Sequence, residues 1–110
     1  MPRATGSRGS GACCVSSHRL SERAYAELID IYLAGLELFG PKQALAYQVE
    51  FEECFAVLAR FPGMGRAAER IGPGLRRHEH GAHVILYQEE DDGILVVAVV
   101  HGRSIRSLRV

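Results

Sequence analysis

The chain has 110 residues, the size of one ordinary domain. Hydrophobic residues make up 47% and charged residues 24%, as in globular proteins that bury a core without disulfide or metal support. The longest apolar run, Ile94 to Val100, is far too short to span a membrane. Intrinsically disordered, collagen-like, transmembrane and disulfide-scaffold classes are therefore excluded.

The 13 basic and 13 acidic side chains balance, but they are unevenly distributed along the chain. Residues 1–19 contain three arginines and no acidic residue, whereas residues 20–60 contain seven acidic and three basic residues. Residues 61–110 contain seven arginines and six acidic residues, four of which fall in one predicted turn. Because arginine suits planar contacts with carboxylate or phosphate, a charged binding face in the C-terminal half is one interpretation.

Residues 1–14 are rich in glycine, serine and arginine, which predicts a disordered N-terminal extension. A further hypothesis is that translation starts at Val15, where folded-looking sequence begins. The three cysteines, Cys13, Cys14 and Cys54, form no CxxC motif, which indicates a reducing, cytoplasmic compartment. Cys54 lies on the apolar face of a predicted helix and is interpreted as a small core residue.

Two helices follow a short predicted strand over residues 14–20. Ser21 is the predicted N-cap of the first helix, and Gly40-Pro41 ends it and opens the second. Apolar residues recur at helical spacing in both helices, which predicts an antiparallel hairpin. The positions expected to face the core are Ala24, Leu28, Ile31, Tyr32, Leu36 and Phe39 in the first helix, and Ala44, Tyr47, Phe51, Cys54, Phe55, Leu58 and Phe61 in the second.

The second half of the chain has the composition of strands and turns. Residues 62–74 contain four glycines and two prolines, which predicts a loop. Strands are predicted over residues 75–80, 83–88 and 94–100, with Asp92-Gly93 as a hairpin turn and the last strand buried on both faces. The predicted fold class is α+β, with the hairpin packed on a small, largely antiparallel sheet of three to four strands.

Two groups of side chains are candidates for chemistry. His78 and His80 share a strand face with His83 nearby, but no fourth ligand stands at a standard spacing, so we assign no metal and no cofactor. The second group has the ingredients of RNA cleavage, since a histidine can move a proton and arginine can stabilise phosphate charge. Its members are Arg76, Tyr87, His101 and Arg103. The alternative is that these arginines pair with carboxylates of this chain or of an acidic partner.

Four segments in order carry a resemblance to a known family. They are LSERAYAEL, FxxCFxxLxRFPGMGR, GLRRHEHGAHVILYQ and VVAVVHGR, spread over residues 17–103. Together they resemble the ParE branch of the RelE/ParE superfamily of bacterial toxins from type II toxin–antitoxin pairs. The resemblance implies one toxin domain, assigned to residues 15–104. Residues 105–110 are predicted as a short basic tail that does not belong to the family pattern.

The resemblance also implies a function and partners. ParE-like toxins inhibit DNA gyrase. A small acidic antitoxin of the ParD kind neutralises them and supplies any contact with DNA. RelE-like relatives instead cut mRNA on the ribosome. Because the chain has no lysine after Lys42 and no aromatic residue after Tyr87, we favour a binding toxin over a ribonuclease. A non-toxic family member that only binds an antitoxin is the other alternative. The residues expected to bind the target are Arg76, Tyr87, His101, Gly102 and Arg103, and those expected to bind the antitoxin are Leu28, Tyr32, Leu75, Arg77 and Glu79.

Overall fold

The computed structural model describes residues 17–108 of the chain. The extension predicted for residues 1–14 lies outside the described residues, and the first predicted strand is described from Ser17 onward. The elements are β1 (Ser17–Leu20), α1 (Glu22–Phe39), α2 (Pro41–Arg60), a 3₁₀ helix (Pro62–Met64), β2 (Arg66–Ala67), β3 (Arg76–His80), β4 (His83–Glu90), β5 (Gly93–His101) and a C-terminal 3₁₀ helix (Gly102–Ser107). No helix among these residues is long and apolar enough to cross a membrane.

The described strands form one mixed sheet in the order β1-β5-β4-β3-β2. β1 runs parallel to β5, and the other neighbours are antiparallel. The predicted α+β architecture is confirmed, but the sheet has five strands rather than three to four. The additional strand is β2, whose two residues pair with Arg76 and Arg77 inside the segment predicted as a loop.

The helical hairpin forms as its end signals predict. The Ser21 hydroxyl accepts a hydrogen bond from the Ala24 amide, and Gly40 takes the positive φ of 89° that lets Pro41 begin α2. Two of the aromatic residues expected in the core are exposed instead, Phe39 by 66% and Phe61 by 57%. Both lie at a helix end, Phe39 as the last residue of α1 and Phe61 as the C-cap of α2.

Each face of the sheet packs against its own hydrophobic core. The helix-side core joins α1 and α2 to residues such as Ile85, Tyr87 and Val99. The outer core lies on the opposite face, where the segment 68–75 and the C-terminal 3₁₀ helix cover Leu86 and Ala98. Ile105, which the sequence places in a basic tail, is therefore buried in the outer core.

A bulge in β5 fastens α1 to the sheet. Leu86 pairs with Ala98 whereas Tyr87 pairs with Val96, so one extra residue lies in β5 at Val97. The Ser21 hydroxyl donates to the Val97 carbonyl at 2.7 Å. Glu27 accepts from the Val99 amide at 2.7 Å, so two side chains of the α1 segment satisfy backbone groups at the bulge.

Candidate functional site

The five residues expected to bind a target lie in two groups. Arg76 pairs with Tyr87 across β3 and β4, whereas His101 pairs with His83 at the other end of β4. Tyr87 and His83 are four residues apart on one strand, which separates the two groups by about 13 Å. Gly102 and Arg103 belong to the His101 group, because they open the C-terminal 3₁₀ helix.

Tyr87 anchors the turn that follows α2. Its side chain has no exposed surface, and its hydroxyl donates to the Pro62 carbonyl at 2.7 Å and accepts from the Gly65 amide at 2.9 Å. The Arg76 guanidinium donates to the Gly65 carbonyl at 2.6 Å. Burial raises the pKa of Tyr87, so the phenol stays neutral and remains a donor. In this conformation Tyr87 positions the turn and offers no surface to a partner.

Replacing Tyr87 with phenylalanine tests this anchoring function. Tyr87→Phe leaves the Gly65 amide and the Pro62 carbonyl without their phenol partner, so we expect the free energy of unfolding to fall by about 1–3 kcal/mol in urea denaturation. Tyr25→Phe is the matched control, because the Tyr25 side chain is 61% exposed. Equal stability of the Tyr87→Phe variant and the wild type would contradict the assignment.

The second group is organised around the end of β5. The His101 Nδ1 atom accepts a hydrogen bond from the Arg103 amide at 3.1 Å and thereby caps the C-terminal 3₁₀ helix. The Gly102 amide donates to the Ala82 carbonyl in the β3–β4 turn at 2.8 Å. Arg103 is exposed. This end of the sheet therefore presents the exposed Arg103 guanidinium on a capped turn.

The residues expected to bind an antitoxin lie on opposite sides of the molecule. Leu28 and Tyr32 belong to α1, where Leu28 is 6% exposed in the helix-side core and Tyr32 is half-buried. Leu75 is buried in the outer core. Arg77 and Glu79 share its face, since they pair in register with Leu86 and Val84 of the outer core. One short segment cannot contact both sets.

Glu79 holds two arginines together at the outer face. Its Oε2 atom accepts from Arg66 at 2.7 Å and from Arg77 at 2.8 Å. Partial burial opposes ionisation of this carboxyl, but the hydrogen bonds from the two arginines lower its pKa. Part of the arginine set thus pairs with a carboxylate of the chain itself, whereas the guanidinium groups of Arg70, Arg103 and Arg106 have no side-chain partner among the described residues.

The helical hairpin carries an exposed apolar surface that is not among the residues predicted from the sequence. The surface, called here the hairpin stripe, consists of Tyr25, Ile29 and Leu33 on α1 and Leu45 and Val49 on α2, all between 43% and 61% exposed. The residues of each helix are four apart and so lie on one side of it. Gly35 lies against Ala44, and Gln48 donates to the Leu28 carbonyl, which places Leu33 opposite Leu45 and Ile29 opposite Val49. The sequence does contain a signal for this surface: on each helix, a second set of apolar residues recurs at helical spacing beside the set that faces the core.

Charge separates the two sides of the sheet. The helices carry seven acidic and three basic residues. The outer side carries five arginines and two glutamates, on β2, β3, the segment 68–75 and the C-terminal 3₁₀ helix: Arg66, Arg70, Arg77, Arg103 and Arg106 with Glu69 and Glu79. A partner that contacts both sides meets an acidic and apolar surface on one and a basic surface on the other.

The histidines do not form a metal site in the part of the chain described. No group of three or more potential ligands lies close enough together among residues 17–108. Cys54 packs beside the helix-side core, and burial raises the pKa of its thiol, so the side chain remains protonated. Both cysteines of the N-terminal segment lie outside the described residues.

A model of the ParE toxin family of type II toxin–antitoxin systems matches residues 19–106. The chain belongs to the ParE toxin family. Its relatives include Toxin ParE1 of Caulobacter vibrioides, 38% identical over 71 residues that cover 64% of this chain and 74% of the relative. Toxin ParE1 of Mycobacterium tuberculosis H37Rv is 34% identical over 89 residues, which cover 80% of this chain and 91% of the relative.

Solved structures of the same kind share the fold of this ParE-family chain. A chain from the chromosomal ParDE toxin–antitoxin system of P. aeruginosa is similar with a TM-score of 0.67 and 21% identity, covering 80% of this chain and 97% of that one. A chain from the RelBE2 toxin–antitoxin complex of Mycobacterium tuberculosis has a TM-score of 0.56 and 25% identity, covering 78% and 96%. The resemblance to the RelE/ParE superfamily is thereby confirmed.

Proposed function

We propose that this ParE-family toxin inhibits DNA gyrase in the bacterial cytoplasm and is neutralised by a cognate ParD-like antitoxin. The observation that carries the proposal is the match to the ParE toxin model over residues 19–106, together with relatives named Toxin ParE1. One structural neighbour comes from a ParDE toxin–antitoxin system, which supports a ParD-like antitoxin for this chain.

The positions of the candidate ribonuclease residues favour a toxin that binds over one that cleaves RNA. A shared active site would need His101 and Arg103 to meet Tyr87 and Arg76 around one phosphate. Instead, Tyr87 is buried and Arg76 is bonded to the Gly65 carbonyl, about 13 Å along β4 from the His101 pair. We therefore propose that Arg103 and Gly102, capped by His101, bind the target as a surface.

The antitoxin is proposed to contact both sides of the sheet. The hairpin stripe provides an apolar strip of about two helical turns, a length that one amphipathic helix can cover. The arginines of the outer side suit an acidic extended segment. This division accounts for the predicted antitoxin residues on both sides, with Tyr32 next to the stripe and Arg77 and Glu79 at the outer face.

Induced expression in a bacterial host tests the proposal. We expect growth arrest accompanied by a DNA-damage response while protein synthesis continues, because gyrase poisoning leaves broken DNA. Co-expression of the antitoxin encoded beside the toxin should restore growth. Immediate loss of protein synthesis without DNA damage would instead assign the RelE-like activity, and normal growth would assign the non-toxic alternative.

A further inference from the structure

Three histidines meet where the β3–β4 turn contacts the end of β5. The rings of His83 and His101 lie 5.5 Å apart, and Tyr47 of α2 contacts the turn from the helix side. The Tyr47 hydroxyl lies 2.8 Å from Nδ1 of His83 and 3.1 Å from the His80 carbonyl, to which it can only donate. A Cβ atom at Gly81 would lie 2.5 Å from that hydroxyl, so the turn closes tightly on Tyr47.

The hydrogen bond at His101 fixes the protonation state of its ring. The Arg103 backbone amide can only donate, so Nδ1 of His101 must be the unprotonated nitrogen that accepts. A second proton on His101 would occupy Nδ1 and leave two donors facing each other. The cap of the C-terminal 3₁₀ helix is therefore compatible only with a neutral His101.

The surroundings of the His83 ring disfavour a positive charge on it. His83 faces His80 of β3, His101 of β5 and the Tyr47 phenol of α2, while Arg103 follows on the 3₁₀ helix. Glu50 of α2 places a carboxylate next to these groups. Its Oε1 atom lies 3.3 Å from the buried Nε2 atom of His80, but the two atoms form no hydrogen bond. Burial, followed by the neighbouring His101 and His80, lowers the pKa of His83.

The sign of the pH effect follows from this lowered pKa. Unfolded His83 would take up a proton near pH 6.5, the ordinary value, whereas the folded protein binds it only at lower pH. Between those values the unfolded state holds more protons, so folding is favoured above this window and loses stability as the pH falls through it. Acid therefore opposes the packed arrangement of the cluster.

We propose that His83 and His101, supported by Tyr47, are positioning residues that hold the C-terminal 3₁₀ helix in place only while both imidazoles are uncharged. We call His83, His101 and Tyr47 together the latch. Because the helix begins with Gly102 and Arg103, the latch controls how these two residues, proposed to bind the target, are presented. That functional consequence rests on the proposed function, but the latch itself is a property of the isolated chain.

Hydrogen–deuterium exchange of the full chain at pH 7.5 and 5.5, corrected for intrinsic exchange rates, tests the latch. We expect protection of the peptide covering residues 102–108 to fall as the pH drops from 6.5 towards the lowered pKa of His83. One linked proton limits this fall to about tenfold for each pH unit. The β4 and β5 amides should stay protected at both values. His101→Asn should reduce the pH dependence, because asparagine accepts the cap hydrogen bond but places no second imidazole beside His83.

Controls and contrary outcomes distinguish the latch from general acid sensitivity. His18→Asn should behave like the wild type, because His18 lies on β1 against Glu52 and Phe55. Unchanged protection of residues 102–108 in the wild type, or an equal loss in His101→Asn, would overturn the proposal. A fall in β4–β5 protection as large as that of residues 102–108 would also overturn it. None of these results depends on gyrase inhibition, which is measured separately at pH 7.5.

Discussion

Replacing Gly93 with alanine is expected to lower the free energy of unfolding by about 2–6 kcal/mol, the sum of a strained backbone and an overpacked contact. Gly93 has a φ of 149° and pairs with Ser17 where β1 runs beside β5. An alanine Cβ would overlap the Ser17 carbonyl oxygen, which belongs to the backbone and cannot turn away. Urea denaturation of the purified variant measures the loss.

Two other glycines separate the causes of this effect. Gly74→Ala tests backbone strain alone, because Gly74 has a φ of 74° and open space around it. Gly63→Ala is the control without backbone strain or steric overlap, since a Cβ there would meet nothing within 4 Å and the φ of Gly63 is not positive. If Gly93→Ala costs no more than Gly74→Ala, the close approach of β1 to β5 is not what requires glycine.

A charge within the hairpin stripe is expected to disrupt the antitoxin complex. Ile29→Asp and Leu33→Asp should each weaken antitoxin binding about 30-fold or more, the effect of losing an apolar anchor worth about 2 kcal/mol. Both side chains are exposed in the isolated chain, by 43% and 53%, so its stability should change little. Isothermal titration calorimetry with the cognate antitoxin measures the affinity.

Leu38→Asp is the matched control for the hairpin stripe. Leu38 is 72% exposed near the end of α1 and lies outside the stripe. It should bind the antitoxin like the wild type. Full affinity of both stripe variants, or an equal loss in the Leu38 variant, would remove the stripe from the antitoxin interface.

The main elements of the fold could be predicted from local signals in the sequence. Ser21, Gly40 and Pro41 mark the helix ends through their own backbone and capping preferences. The acidic segment marks the β4–β5 turn, although the turn itself is Asp91-Asp92 and Gly93 already pairs with Glu90. β2 could not be predicted, because two residues carry no periodicity and their pairing depends on β3. The burial of Ile105 could not be predicted either, because it arises from contact with the outer core, whose residues are distant in sequence.

The candidate site was less predictable than the fold. Alternation along β4 shows that Tyr87 and Leu86 face opposite sides, but it cannot show that both sides are covered. Tyr87 was consequently expected at a functional surface, whereas its hydroxyl holds the turn after α2. The separation of His101 from Arg76 follows from strand register, which a residue inventory does not contain.

The most direct test of the proposed function is DNA supercoiling by purified gyrase, with this protein freed of its antitoxin. We expect lost supercoiling and accumulation of linear, cleaved plasmid, both prevented when the cognate antitoxin is added first. Arg103→Ala should weaken the inhibition if the capped end of β5 binds the target. Unaffected supercoiling at protein concentrations that stop bacterial growth would contradict gyrase as the target.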